Sequence, residues 1–321
     1  MDNLSHTLAG LALARAGLGR GGPGTTAALV VASNLPDADI VSSLFGTASY
    51  LEHHRGLSHS VVGAPLLALG LAVLLRLLVR ESRFPVLLLC SLAGVAGHVF
   101  MDLWTSYGTR VFAPFDSTWY TWDIVFIVDP VVWALLAGAL LVEAQLRKRG
   151  SPMGAPAAAV VIGLLLTYVG ARAALHAQAL DAARQVLPPT VAGRVAALPS
   201  PITPLQWRLV ADDGTAFYTG TVDLSRGVRP LERRPKRVED ETVAQARAES
   251  AQAAVFLTFS RFPWLEVSES AEGRTVSWRD LRFEEVPGLT VSLGSRFRRD
   301  RFVARVVLGP DGRMRSESIR F

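Results

Sequence analysis

The stretch FPVLLLCSLAGVAGHVFMDL, Phe84–Leu103, decides the fold. A bilayer core about 30 Å thick needs about 20 consecutive apolar residues of helix, and this run is of that length with no charged residue before Asp102. It is read as a transmembrane helix. His98 and Asp102 lie four positions apart on it, so they stack on one face, about 6 Å apart along the axis. Ionisable groups inside a span are costly and usually face the bundle interior, where they mark a site. Two readings are open for the pair: a cation joins them, or they hydrogen-bond to each other and only hold helices together.

Working outward, three further runs read as spans: Ser60–Leu78, Ile124–Leu146 and Pro156–Leu175. Upstream, Leu4–Leu18 and Thr25–Leu35 are apolar but short and are separated by the Gly-rich turn Gly19–Gly24, which predicts a tight helical hairpin. Composition agrees with a chain partly in lipid: of 321 residues, 50% are hydrophobic and 19% charged. The single cysteine, Cys90, excludes an intrachain disulfide and is expected to be a small core or lipid-facing residue. A net charge of +5 carried mostly by Arg does not imply nucleic-acid binding, and none is expected. No removable signal sequence is expected either, because no basic region precedes the first apolar stretch.

The short connections allow the positive-inside rule to be applied. One set of ends carries Arg15, Arg20, Arg76, Arg80, Arg83, Arg147, Lys148 and Arg149. The opposite loops, Pro36–Ser58 and Trp104–Asp123, carry only Arg55 and Arg110. The first set is expected to be cytoplasmic, which puts the other loops and everything after the last span outside the cytoplasm. Trp104, Tyr107, Trp119, Tyr120 and Trp122 cluster at that outer boundary, where amphipathic rings anchor helices.

After Ala177 the sequence becomes polar, with period-2 alternation and turn signals, and predicts a folded soluble domain. Expected strands are Gln206–Ala211, Ala216–Asp223, Thr275–Phe283, Leu289–Leu293 and Phe302–Leu308, with one amphipathic helix over Glu239–Phe259. The fold class is therefore an all-α polytopic membrane domain, four long transmembrane helices plus the N-terminal hairpin, over residues 1–177. An extracytoplasmic soluble α+β domain follows over residues 178–321. The second domain has no histidine or cysteine, so binding, capping or assembly is its default role.

Five of the six histidines precede residue 100, each in or beside a segment assigned to the outer face. The candidate metal ligands are His6, Asp37, Asp39, His54, His59, His98 and Asp102. Pro36 ends an apolar segment and presents Asp37 and Asp39 in a turn, as oxygen ligands or as a helix cap. His54 and His59 bracket a loop that Gly56 allows to fold back toward one ion, and Ser58 is the expected cap of the helix that follows; solvent-exposed loop histidines are the alternative. His53 is left out of the set. His6 is a ligand or a terminal interfacial residue. Seven ligands exceed the three or four of a single zinc site, so two or more ions would be held. Deeper in the spans, Asp129 and Arg172 can meet, either as a structural pair or with Arg172 presenting its guanidinium to a substrate phosphate.

These residues carry a resemblance. His6-Thr7-Leu8-Ala9-Gly10, Pro36-Asp37-Ala38-Asp39, His54-Arg55-Gly56-Leu57-Ser58-His59-Ser60, Gly94 through His98 to Asp102, and Tyr107-Gly108-Thr109 followed by Pro114-Phe115 together resemble the YdjM-like family of bacterial membrane-bound metal-dependent hydrolases, over about Met1–Leu175. That family is in turn distantly similar to the zinc-dependent phospholipase C and single-strand nuclease superfamily. The resemblance implies a multi-pass protein of the bacterial inner membrane that hydrolyses phosphoesters with divalent metal, zinc foremost and manganese as the alternative. Asp37 and Asp39 are the candidate general bases and Arg172 the candidate phosphate contact. Lipid or lipid-linked phosphoesters are the expected substrates, because a site at the outer boundary meets headgroups without extracting them. The rivals are a metal-ion or proton transporter, and a non-catalytic anchor braced by a structural metal.

Overall fold

The computed structural model describes residues 1–191, 194–201, 203–270, 273–284 and 302–320. Leu, Ala and Val dominate the first half, which is helical: α1 (Asn3–Arg15), α2 (Thr25–Ala32), α3 (Thr47–His53), α4 (Gly63–Leu78), α5 (Phe84–Leu103), α6 (Pro130–Lys148) and α7 (Gly154–Val186). Three-residue-per-turn segments at Leu18–Gly21, Leu35–Phe45 and Leu57–His59 connect them. The chain divides into two compact units, one of Met1–Val41 with His53–Ala174, the other of Ser42–Glu52 with Leu175–Phe321.

Within the first unit the outward faces are apolar and the inward ones small. Leu77, Leu89, Leu141 and Val160 are each at least 60% exposed, while Ala68, Ala72, Ala139 and Ala158 are fully buried. An apolar surface around a packed interior is what lipid selects. Three helices, α5, α6 and α7, are individually long and apolar enough to cross a membrane. The count rises to five if two bent pairs each form one span: α2 with Leu35–Phe45, bent by 44°, and Thr47–His59 with α4, bent by 73°. The expected four spans are thus three to five. α4 has only 16 residues because Ser60, not Ser58, closes its start: the Ser60 hydroxyl accepts from the backbone N–H of Val62 and Gly63 at 3.3 and 3.0 Å. Ile124–Asp129 is not helical, and α6 begins at Pro130, whose fixed φ suits a first helical position. Asp129 is therefore the cap of α6 rather than a residue inside it, accepting from the N–H groups of Val131 and Val132. At 33 residues, α7 runs about 50 Å, well beyond the expected Pro156–Leu175.

Close approach of backbones holds the first two helices on α5. A Cβ on Gly94 would lie 2.6 Å from the Ala32 Cβ and 2.8 Å from the Leu29 carbonyl, and one on Gly10 would lie 2.7 Å from the Ser33 hydroxyl. Glycine is required at both places by the neighbouring helix.

In the second unit the sheet-bearing region is α+β. Strands β1 (Arg194–Pro199), β2 (Gln206–Asp212), β3 (Ala216–Asp223) and β4 (Gly227–Val228) form an antiparallel sheet in that order, with β5 (Glu232–Pro235) also paired to β3. Strands β6 (Pro263–Ser270), β7 (Gly273–Asp280), β8 (Val303–Leu308) and β9 (Met314–Arg320) form a four-stranded meander. Ala196, Leu198, Val210 and Phe217 of the first sheet pack with Phe262 and Leu281 beside the second. The single helix expected over Glu239–Phe259 is two, α8 (Glu241–Glu249) and α9 (Ala251–Phe259). Ser250 ends the first and caps the second, its hydroxyl accepting from Ala253 N–H at 2.9 Å. The expected strand Leu289–Leu293 lies outside the described residues.

Gly94→Val places branched carbons against the Leu29 carbonyl and is expected to destabilise the membrane unit by about 1–3 kcal/mol. Gly97→Val on the same helix, whose Cβ meets nothing within 4 Å, serves as the control for propensity. Melting temperatures in detergent should fall for the first and change much less for the second.

Candidate metal centre

The C-terminal half of α5 brings His98 and Asp102 to one face, with His98 Nε2 3.3 Å from Asp102 Oδ2. The last turn of α2 fixes the ring: His98 Nδ1–H donates to the Ser33 carbonyl at 2.8 Å, one of the carbonyls a helix end leaves without an internal partner. In the neutral imidazole that bond leaves Nε2 as the lone-pair nitrogen.

The loop from His53 to Ser60 fixes the second imidazole. The Ser58 hydroxyl donates its one proton to Asp39 Oδ2 at 2.7 Å, so its oxygen accepts from His59 Nδ1–H at 2.9 Å. In the neutral ring His59 Nε2 is therefore also the lone-pair nitrogen, and it lies 3.0 Å from His98 Nε2. Two carboxylates close around the same point. Asp37 Oδ1 lies 3.4 and 3.5 Å from the two nitrogens, and Asp102 Oδ2 lies 3.3 Å from each. Neither oxygen has a hydrogen-bond partner, although both are buried.

With both rings neutral such a set is unfavourable without a cation, because lone pairs and negative oxygens face one another out of water. Its dimensions fit one. Tetrahedral ligands at about 2.0–2.1 Å from a metal are separated by about 3.3 Å, and the five separations above are 3.0–3.5 Å. Asp37, His59, His98 and Asp102 are thus a group that can hold a metal ion. Two imidazoles and two carboxylates suit zinc and other borderline divalent ions alike.

A second, overlapping group is Asp37, Asp39 and His54. Here Asp39 is heavily engaged: Oδ1 accepts from His54 Nδ1 at 2.8 Å, and Oδ2 accepts from the Arg55 N–H at 3.0 Å as well as from Ser58. Its most direct effect is to orient His54, Ser58 and, through Ser58, His59. His6 is fully buried and stacked on His98 with ring centroids 3.8 Å apart. Its Nε2 lies 3.3 Å from Asp102 Oδ1, and neither ring nitrogen has a hydrogen-bond partner. The same Asp102 oxygen bonds the Met1 amino group and Arg55 Nη2, the latter at 2.8 Å. Asp102 thus divides its work, Oδ1 taking fixed cations and Oδ2 facing the two imidazoles. His53 is exposed.

Arg172 and Asp129 interact electrostatically, with Tyr168 beside both. Arg172 Nε donates to the Ile124 carbonyl at 3.0 Å, and Asp129, besides capping α6, accepts from the Tyr168 hydroxyl at 2.9 Å.

Sequence reasoning overlooked Arg55. Its Nη1 donates to Thr105 Oγ1 at 3.2 Å, its guanidinium lies over the Tyr107 ring at 4.8 Å, and its carbonyl accepts from Arg110 N–H. The residue has φ +55°, a left-handed conformation uncommon outside glycine and asparagine. Through its backbone it touches Asp39 and through its side chain Asp102. The available signal was its place between His54 and His59, in a loop on the face poorest in positive charge.

A family model described as YdjM inner membrane protein matches residues 1–179. The chain is also 27% identical to "Uncharacterized protein YfhP" of Bacillus subtilis (strain 168) over 265 residues, which is 80% of this chain and 76% of that protein. That similarity is longer than the family-matched segment and so reaches into the sheet-bearing region. No solved structure matches.

Asp39→Asn preserves shape but removes the charge that holds His54 and Ser58. Partners of this kind typically contribute 10–100-fold in metal affinity, so a competition titration with a chromophoric chelator should show zinc binding weakened by about that factor. An unchanged affinity would mean that His59 needs no such orientation.

Proposed function

The chain belongs to the YdjM inner membrane protein family, and from that premise and the His/Asp cluster we propose that it is a membrane-bound metal-dependent hydrolase. Its substrates in this reading are phosphoesters of lipids or lipid-linked molecules, cleaved at the outer membrane–water boundary. The observation that carries the reading is the convergence of His59 Nε2 and His98 Nε2, 3.0 Å apart, with two partnerless buried carboxylate oxygens. Hydrolysis is favoured over transport because the cluster draws on one end of α5 and on the loops before α4, and does not form a file of polar groups along a span.

Asp37, His59, His98 and Asp102 would hold the ion. When bound, a divalent cation supplies Lewis acidity toward water and phosphoryl oxygens near neutral pH. The chain's own residues prepare for it. Ser33 and Ser58 fix Nδ1 as the protonated nitrogen of both neutral imidazoles, which turns their Nε2 lone pairs toward the ion's place. Arg55 and the Met1 amino group hold Asp102 from behind, which keeps Oδ2 aimed inward. Asp37 and Asp39 are the candidates to accept a proton from water, Asp37 being also a candidate ligand. His6, stacked on His98, is the further imidazole candidate beside this ion, and Asp39 with His54 offers donors for a second one that shares Asp37. Arg172 is the candidate phosphate contact in this reading, with its Nε donated to the Ile124 carbonyl. The distribution of Arg and Lys among the loops supports an extracytoplasmic site.

Protein purified in detergent should contain about one or two equivalents of zinc or manganese. It should hydrolyse phospholipid vesicles or bis(p-nitrophenyl) phosphate, with activity lost on chelation and restored by the metal. Hydrolysis that persists in metal-free protein would contradict the reading, and metal uptake into vesicles without hydrolysis would replace it with transport.

A further inference from the structure

The loops that carry the His/Asp cluster are polar on one side and apolar on the other. Asp39, in the segment after α2, accepts from the Arg55 N–H and the Ser58 hydroxyl, which ties that segment to the loop before α4. The same loop is tied to the one after α5, where Arg110 N–H donates to the Arg55 carbonyl at 2.9 Å and Val61 N–H to the Val111 carbonyl at 2.8 Å. These three segments form one rim. Ile40, next to Asp39, is exposed, and so are Leu57 and Val61, which stand two positions to either side of the fully buried His59. The turn that follows Val111 presents Phe112 and Phe115, the latter 81% exposed.

The rim continues a lipid-facing surface. Val61 lies just before α4, on which Leu66, Leu69, Val73 and Leu77 recur at spacings of three and four and are all exposed, the stripe of one helix face. Depth agrees with this. His98 and Asp102 lie five residues and one residue before the end of α5, so at about 1.5 Å per residue the cluster is within about 8 Å of the end of a helix long enough to cross the hydrocarbon. Apolar side chains of membrane-surface segments insert to about that depth, 5–10 Å, and Phe112 is backed by an interfacial ring, Tyr120, edge-on at 5.2 Å. The rim also lies where the cluster opens: the Asp37, Asp39 and His54 side chains keep 10–12% exposure, whereas those of His59, His98 and Asp102 keep none.

We infer that this rim is set into the leaflet and that substrate reaches the cluster sideways from the bilayer, as a phosphoester whose hydrocarbon chain stays in lipid and lies against Ile40, Leu57 and Phe115. The substrate part rests on the hydrolase reading above, whereas the place of the rim rests on the loops alone. A phosphoester with a hydrocarbon chain carries its phosphate just above the hydrocarbon, near the depth of the cluster, and need not leave the bilayer to reach it. A small water-soluble phosphoester gains nothing from Ile, Leu, Val and Phe at the exposed positions of the mouth, where each costs free energy in water. A protein partner covering the rim would leave its continuity with the α4 stripe without a reason.

Spin-label accessibility and kinetics test it with the full-length protein in liposomes of phosphatidylethanolamine and phosphatidylglycerol. In a Cys90→Ala background, labels at Leu57→Cys and Phe115→Cys should be relaxed more by oxygen than by chromium oxalate, as should one on the α4 stripe at Leu66→Cys. A label at Asp311→Cys, in the exposed turn between β8 and β9, should show the reverse. Rim labels that meet chromium oxalate freely would put the rim in water, and labels that meet neither reagent would put it under protein; either result overturns the inference. Phe115→Ser should raise KM for phosphatidylglycerol by about tenfold, the scale of moving one large apolar side chain from lipid to water, and leave kcat/KM for bis(p-nitrophenyl) phosphate within about twofold. Phe115→Leu should restore most of the loss. Equal losses on both substrates, or no loss on phosphatidylglycerol, would overturn sideways entry. An enzyme that cleaves neither would contradict the hydrolase reading and the substrate assignment with it, while the labels still decide where the rim lies.

Discussion

Two imidazole nitrogens that both present lone pairs repel at 3.0 Å unless something positive lies between them. His59 and His98 are held in that relation because each has its other nitrogen committed, one to the Ser58 hydroxyl and one to the Ser33 carbonyl. Asp37 and Asp102 add negative oxygens to the same point. Protons on the two Nε2 atoms shared with the carboxylates would satisfy these four groups, and one divalent cation at their centre satisfies all of them at once. The tautomers, the turn after α2, the loop before α4 and the close packing on α5 all take their meaning from that point.

The surrounding structure lowers the cost of keeping such groups away from water. Arg55 and the Met1 amino group lie behind Asp102, so its charge is offset on one side whether or not the other side is filled. Asp39 gathers the Arg55 N–H, the Ser58 hydroxyl and His54 into one cluster and thereby shapes the loop that carries His59. Gly10 and Gly94 let α1 and α5 approach α2 closely enough for the Ser33 carbonyl to reach His98. Helix packing and ligand orientation are thus one constraint, and a bulky residue at Gly94 would disturb both.

What was legible in the sequence was local. A spacing of four on a helix puts His98 and Asp102 on one face whatever the rest of the chain does, and apolar runs of the right length predict helices in lipid. The family relationship was visible in short motifs for the same reason. What was hidden depended on backbone detail or distant partners. Pro130 starts α6, so Asp129 caps it instead of lying inside it, a difference that hydropathy does not register. Ser58 looked like a helix cap, yet Asp39 claims its proton and Ser60 does the capping. Arg55 looked like one of two stray charges on the outer face, because its partner Asp102 is 47 positions away along the chain. In the second unit, β6 and β9 were not read as strands, and a single Ser250 divides what reads as one helix.

X-ray absorption of the zinc-loaded protein tests the central claim most directly, because it reports which atoms surround the ion without reference to activity. The account predicts a first shell of nitrogen and oxygen only, with the outer-shell scattering of two imidazoles, reduced to one when His98 is replaced by Gln. A shell containing sulfur, no imidazole scattering, or a spectrum unaffected by His98→Gln would show that the ion is held elsewhere and would contradict it.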